Sequence, residues 1–510
     1  MREASFFIEQ PFSRGLRPEN NFLNREGFLE MCLNMVPDEA GMKGYEGPID
    51  PFQGGQALAF PLPQVFVGRD ITLLAGTTSV EEVNTSVSPW TKTTLTTLDI
   101  GDRKSNYAIQ EGGVWHFADL GKAWYLTNGK TVVFRTGLDS MVGEATQTWA
   151  QDAVKVNTLT EHRGRVYIGG MDEDNVWSRF PVSISNLTSN LGDIPFTLGD
   201  EGPGGNWVFW GSIGGGDFPL WLFWPDGYST LQPDKDDLLR RIKRNQFGWM
   251  PMRWPGTVQV LKPLGDSVIV YGDNGITALV PQGGAVGRRE IARFGVLGRG
   301  AVGGDEEGHI FIDQDGVLWA LGANLNLSRL GYEEWLSPFS SSSTVISLKP
   351  APEDLREYYL SGPEENYVLN SNGLAQHPDQ ITSIPYLDGT FYAVHTSAAS
   401  TDIRLQTSAF DVRRQAFKTI HDLQVLYSDI TNLRVAVLYR YNHTEAFRTW
   451  GPVKVNPQGV VTCMVTALEF KIRLLGTPGD NPQVTGIEVR WNLVDKRSVR
   501  GLYTEQDVQE

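Results

Sequence analysis

The chain has 510 residues, and its length alone suggests about three domains rather than one ordinary core. Its 60 acidic and 44 basic residues leave a net charge of −16, which argues against tight, sequence-independent nucleic-acid binding, because phosphate is repelled. The two cysteines, Cys32 and Cys463, are too far apart in sequence to suggest a disulfide framework and are read as reduced, buried thiols.

The N-terminus, "MREASFFIEQPFSRG", lacks the apolar run of a signal peptide, so the chain is read as made in a cytoplasm. Residues 1–50 are punctuated by Pro and Asn and are expected to lie extended over another domain or subunit. Phe6, Phe7 and Phe12 have no local core to enter and are candidate interface residues.

From 51 to 388 short strand-like runs alternate with turns. The whole chain holds 55 Gly, 28 Pro and 15 Trp, a composition suited to many short strands joined by tight turns. "TNGK" (127–130), "DNGI" (273–276), "QDGV" (314–317) and "SNGL" (371–374) put Asn-Gly or Asp-Gly between such runs, which predicts type I′ hairpins. An aromatic recurs near many of these strands. The rhythm predicts an all-β chain built on a β-propeller of about six blades, without the strict repeat of a WD40 or kelch array.

Within it, residues near 203–255 form a predicted insertion. "GGNWVFWGSIGGGDFP" is read as a long loop, with Trp207, Trp210, Trp221 and Trp224 as candidate interface anchors. The apolar stretch 206–224 is broken by glycines, Asp217 and Pro219, so no membrane insertion is expected. "PDKDDLLRRIKRNQFG" (233–248) predicts a short helix, acidic at its start and basic toward its end. Its Arg240, Arg241, Lys243 and Arg244 could touch DNA, although a solvated helix face is the commoner use of such a cluster.

Beyond 389 the strands lengthen and alternate, as in "LRVAVLYRYN" and "QVTGIEVRWNLV". They predict a C-terminal β-sandwich, or platform domain, over 389–510.

Motifs for chemistry are weak. Gly298, Gly300 and Gly303 fit GxGxxG, but turn and strand follow where a dinucleotide site needs a helix, so a tight inter-strand loop is expected. Asp313 and Asp315 lack the further oxygen ligands of a calcium loop and suit a hairpin turn; "DEDN" (172–175) is read alike. There is no HExxH zinc motif and no GxSxG elbow. No catalytic residue, cofactor or metal is assigned.

The stretch "HRGRVYIGGMDEDNVWSRF" (162–180) carries a distinctive order: arginines, a short strand, a glycine pair, then Asn and Trp. "HRGRVYIGG" followed by "NVWSRF" resembles the tail nozzle (tail hub) proteins of short-tailed bacteriophages. "DSVIVYGDNGITAL" (266–279), "ARFGVLGRGAVGGDEEGHIFIDQDGVLWAL" (292–321), "CLNMVPDEAGMKGYEGPI" (32–49) and "TSAFDVRRQAFKTIHDLQV" (407–425) are similar to that family's other blocks. The resemblance implies a structural virion protein assembled in the host cytoplasm. It implies a homo-hexameric ring at the end of the tail, docked to a head–tail adaptor and carrying fibres or a plug. Double-stranded DNA would pass through without sequence-specific binding. The alternative is a propeller that hydrolyses or binds glycans.

On either reading Arg163, Arg165, Gly169, Gly170, Asn175 and Trp177 are expected to specify the fold rather than chemistry. Replacing Trp177 by Ala is expected to cost about 3–5 kcal/mol, as for a buried large aromatic. Thermal unfolding checks this; an unchanged midpoint with loss of an activity would return the stretch to a functional role.

Overall fold

The computed structural model describes residues 4–8, 14–18, 28–45, 49–52, 63–99, 106–121, 123–136, 148–151, 155–171, 205–211, 213, 248–282, 285–349, 356–396, 402–411 and 416–494. These residues are almost wholly β.

Four strands come first: β1 (Ala4–Ile8), β2 (Leu29–Leu33), β3 (Met35–Asp38) and β4 (Gly41–Gly44). A four-stranded antiparallel sheet follows, β5 (Gln64–Val67), β6 (Thr72–Ala75), β7 (Val80–Asn84) and β8 (Thr91–Thr94). The next has β10 (His116–Asp119), β11 (Ala123–Thr127), β12 (Val132–Thr136) and β13 (Thr148–Gln151), with β9 (Thr97–Asp99) added in parallel at its outer edge. The third has β14 (Val156–His162), β15 (Arg165–Met171), β16 (Trp207–Trp210) and β17 (Gly248–Pro251). The fourth has β18 (Val258–Leu264), β19 (Ser267–Gly272), β20 (Ile276–Gln282) and β21 (Ala285–Ala292). The fifth has β22 (Val302–Gly304), β23 (Gly308–Ile312), β24 (Leu318–Gly322) and β25 (Leu327–Gly331). The run β26 (Val345–Lys349), β27 (Glu357–Ser361), β28 (Asn366–Asn370) and β29 (Gly373–His377) repeats the pattern.

A small sheet follows, of β30 (Gln380–Ser383) and β33 (Val394–Thr396), with the hairpin β31 (Tyr386–Leu387) and β32 (Thr390–Phe391) between them. Residues preceding β5 latch it to the first sheet. Ala393 N–H donates to Ile49 O at 3.0 Å, Trp90 N–H donates to Pro51 O at 3.0 Å, and Phe52 packs with Trp90 and Val394. Strands β5, β10, β14, β18, β22, β26 and β30 line one central cavity, the arrangement of a β-propeller.

Polar side chains tie each sheet to the next around that cavity. Ser383 both accepts from Val65 N–H (3.0 Å) and donates to Val65 O (2.9 Å). Gln64 Oε1 accepts from Trp115 N–H at 2.7 Å. Thr158 Oγ1 accepts from Leu261 N–H at 2.9 Å and donates to His116 Nδ1 at 2.6 Å, because His116 Nε2 faces the carbonyl of Arg299, which can only accept. His309 Nε2–H donates to Pro263 O and its Nδ1 accepts from Tyr271 O–H, both at 2.8 Å. Ile346 N–H donates to Gly300 O at 2.9 Å. Ser361 Oγ accepts from Ile381 N–H at 2.9 Å and donates to Ile381 O at 2.7 Å.

The C-terminal strands are β34 (Ile403–Thr407), β35 (Lys418–Arg440), β36 (Arg448–Lys454), β37 (Val460–Ala467) and β38 (Glu469–Leu493). Two separate sequence-predicted strands are thus one 23-residue strand, β35, paired along its length with the 25-residue β38. Register shifts cluster between Leu426 and Arg434, where Asp429 and Asn432 both have φ of 52°. Bulges of this kind bend a ribbon. Accordingly Ile420 and Val425 on one side of the bend, and Val435 and Val437 on the other, enter the same core.

Residues 28–45, expected to lie over another domain or subunit, pack into the core of strands β34–β38 of the same chain. Leu29, Cys32, Met35 and Met42 are fully or nearly fully buried in that core, and β2 lies between β29 and β34. Their apolar side chains find a core because strands distant in sequence supply it. β1 pairs with β38 of the same chain, Phe6 opposite Val489 and Phe7 opposite Glu488. Phe12 lies outside the described residues.

The hairpins form where expected; the "SNGL" turn has two residues, Ser371 and Asn372, and the turns of the other three strings are longer. Asn128-Gly129 lies in the loop from Thr127 to Val132, where Asn128 Oδ1 accepts from the N–H groups of Lys130 and Thr131. Asp313 Oδ1 accepts from the N–H of Asp315 and Val317, and its Oδ2 from Trp319 Nε1–H, which commits the carboxylate to the turn. Two-residue turns with both φ positive are at Arg163 (53°) and Gly164 (75°), inside the "HRGR" string, and at Asp388 (50°) and Gly389 (79°), between β31 and β32.

Thr158 serves two junctions at once. Thr158→Val leaves Leu261 N–H and His116 Nδ1 without it and is expected to cost about 1–3 kcal/mol, the usual consequence of an unsatisfied buried donor. Thermal unfolding should show a lowered midpoint, largely restored in Thr158→Ser.

Candidate functional site

The central cavity has a volume of about 600 Å³. The segment Gly298–Gly300, just before β22, contributes Arg299 and Gly300 to its lining. A Cβ on Gly298 would meet the backbone of Ser341, and one on Gly300 would strike Thr344 O and Val114. The GxGxxG string is therefore the tight loop expected of it, and its glycines let backbone pass through a filled space. Arg299 reaches across to the second sheet, where its Nη2 donates to Thr127 O at 3.3 Å and its Nη1 lies over Gly129. His116 Nε2–H donates to Arg299 O at 3.3 Å, which sets the tautomer that accepts from Thr158.

Charge in this cavity is unevenly compensated. Arg299 has no carboxylate within ion-pair distance among the described residues, and burial lowers its pKa to about 9. Lys262, on β18, lines the cavity half-buried and makes no hydrogen bond or ion pair among the described residues; burial lowers its pKa, opposed by the charge of Asp305. His116 is held well below its ordinary value, first by burial and then by Arg299 and Lys262, so it stays neutral between the two cations.

Asp305 would be raised by burial, but hydrogen bonds from Arg356 and the N–H groups of Glu307 and Gly308 outweigh this and hold it low. Arg356 is paired to Asp305 and to Glu307, the latter at 3.1 Å, so Asp305 is already neutralised from outside the cavity. Glu306 is exposed, 4.0 Å from His162 Nδ1. Among the described residues no cluster of His, Cys, Asp and Glu could hold a metal ion, and no helix is long and apolar enough to cross a membrane.

Of the residues singled out in the sequence, Gly300 lines this cavity, whereas Arg163, Arg165, Gly169, Gly170, Trp207 and Trp210 are not among its lining. Arg163 ion-pairs with Asp266 in the next sheet's first turn, and Arg165 is in β15. Gly169 and Gly170 face β18: a Cβ on either would press on Val258, and Gly170 has φ of +68°. Trp207–Trp210 is a strand and not a loop, because its alternate residues pack against Tyr167 and Met252. Trp210, expected at an interface, is 3% exposed in that core. Trp207 is half-buried, 6.3 Å from Phe209 between ring centres. Asn175, Trp177, Trp221, Trp224, the "DEDN" string and the basic helix with Arg240, Arg241, Lys243 and Arg244 lie outside the described residues.

The cavity residues were passed over in the sequence. A lone arginine within "GVLGRGAVGG" and a lone lysine within "VQVLKPLG" are the signals that could have found them.

No known protein family matches the chain, and no curated protein does. Solved structures do: U3-55K at 10% identity and TM-score 0.38, over 70% of this chain and 92% of that one; the β-propeller domain of Myceliophteria thermophila Cps50 (Swd1) at 8% and 0.36, over 69% and 94%; and PorZ, a surface component of the type-IX secretion system of Porphyromonas gingivalis, at 8% and 0.35. The last match spans 68% of this chain but only 36% of PorZ. At these values the assignment of a propeller rests on the chain's own topology.

Burial lowers the His309 pKa from 6.5 to about 3, with Lys262 adding to the effect. The folded protein holds this ring neutral, while the unfolded chain takes up a proton near 6.5. Its contribution to stability is therefore complete above about pH 6.5 and is lost as pH falls toward about 3. The unfolding midpoint should drop on acidification from about pH 7 to about pH 4, and less steeply in His309→Gln.

Proposed function

We propose that the chain is a structural subunit of a phage tail, the nozzle or hub ring through which genomic DNA leaves the particle. The observation that carries this reading is the ordered set of sequence blocks over most of the chain, from "CLNMVPDEAGMKGYEGPI" to "TSAFDVRRQAFKTIHDLQV". In this reading the ring of sheets is six full blades, with β30, β33 and the latch at Ile49–Phe52 as a reduced seventh. Strands β34–β38 form a β-sandwich that serves as a platform. Support comes from the sheet that runs from β29 through β2 to β34 and β38, joined at β29 by the pair Leu33 and Gln376, which connects propeller and platform. Further support comes from large apolar side chains left exposed on the platform, Leu426, Val453 and Met464. The acidic balance favours a wall past which DNA slides.

The glycan-hydrolase alternative asks for a carboxyl group with a raised pKa beside a second carboxylate. Asp305, the half-buried carboxylate of the cavity, is shifted the other way.

The purified full chain, or the particle containing it, should form six-fold rings around a channel wide enough for duplex DNA in negative-stain images. A stable monomer, with turnover of polysaccharide or peptidoglycan abolished by Asp305→Asn or Glu306→Gln, would overturn the reading.

A further inference from the structure

We infer that the central cavity of the propeller binds a small oxyanion, a phosphate or a phosphate- or carboxylate-bearing molecule, with Lys262 as its direct cationic contact. The inference is independent of the tail-protein reading.

Two cations border one cavity without a counterion of their own. A desolvated ammonium or guanidinium group is costly unless it is paired. Asp305, a half-buried carboxylate on the wall, is paired with Arg356, so it cannot fully neutralise Lys262. His116 feels both Arg299 and Lys262, which brings the two charges to the same part of the cavity. Its neutral ring is locked between Thr158 and Arg299 O and adds no charge.

Gln64, on β5, adds a neutral donor. Its Oε1 is committed to Trp115 N–H, and its amide NH2 makes no hydrogen bond among the described residues. An ammonium group on β18, an amide on β5 and a guanidinium on the approach to β22 border the one cavity from different sheets, and their donors match the lone pairs of a phosphoryl or carboxylate group. The volume of about 600 Å³ admits a small molecule.

Titration of the full chain with inorganic phosphate and, separately, citrate at constant ionic strength tests this by calorimetry and thermal shift. Saturable binding of at least one anion is expected, with a rising unfolding midpoint. Lys262→Met should weaken that binding at least ten-fold while leaving the unliganded midpoint unchanged or higher, because an uncompensated charge is removed. Gln64→Leu should weaken it less. Lys349→Met, whose lysine pairs with Glu357 instead, should leave it unchanged. Failure of both anions to bind, or equal affinity in the wild type and Lys262→Met, overturns the proposal. So does a Lys262→Met midpoint lowered without ligand, since Lys262 would then be satisfied within the protein. Phosphate binding without citrate binding assigns the site to phosphoryl groups, and the converse to carboxylates.

Discussion

The innermost strand of a propeller sheet has a partner on one side only, so half of its backbone groups face a neighbouring sheet with no ladder to join. In this chain the neighbours supply the missing partners. Ser383, Gln64, Thr158, His309 and Ser361 each bond backbone of an adjacent sheet, and Gly300 O takes Ile346 N–H directly. The circuit closes because the small β30–β33 sheet, held by Ile49–Phe52, stands between the last sheet and the first. Each bond is worth little by itself. Its absence would leave a buried donor or acceptor bare, and the circuit fixes the spacing of the strands that wall the cavity.

That spacing has electrostatic consequences. His116 donates from Nε2 to Arg299 O and accepts at Nδ1 from Thr158, whose oxygen also accepts from Leu261 N–H, so one chain of bonds joins three sheets. The polar residues that hold the ring together are thus the ones that keep two cations within a confined space. A propeller sealed by apolar contacts alone would not need a neutral histidine there.

The C-terminal unit solves a different problem. Strands of 23 and 25 residues would run far past any single core if straight. Bulges around Asp429 and Asn432 bend them, and both halves then bury their alternate residues together. β2 completes this unit and also touches the propeller, with Asn34 N–H donating to Gln376 O at 3.1 Å, so the two parts share one sheet.

Local pattern was enough to determine an all-β chain, the positions of most hairpins and the lengthening of strands after 389. These follow from alternation and turn residues, which act over a few positions. The turn types were less legible: Asn128 and Asp313 use their side chains to cap longer loops, while Arg163 takes the positive φ that composition would assign to glycine or asparagine. Trp210 and residues 28–45 looked like surface because the strands that bury them, β15, β17, β34 and β38, lie far away in sequence. The cavity was not legible at all. Lys262, Arg299, His116 and Gln64 lie on four different sheets or their approaches, and a charge becomes unusual only once its neighbours are known. Sequence periodicity records which face of a strand is apolar; only ring closure decided which charges meet and which carboxylates were already taken.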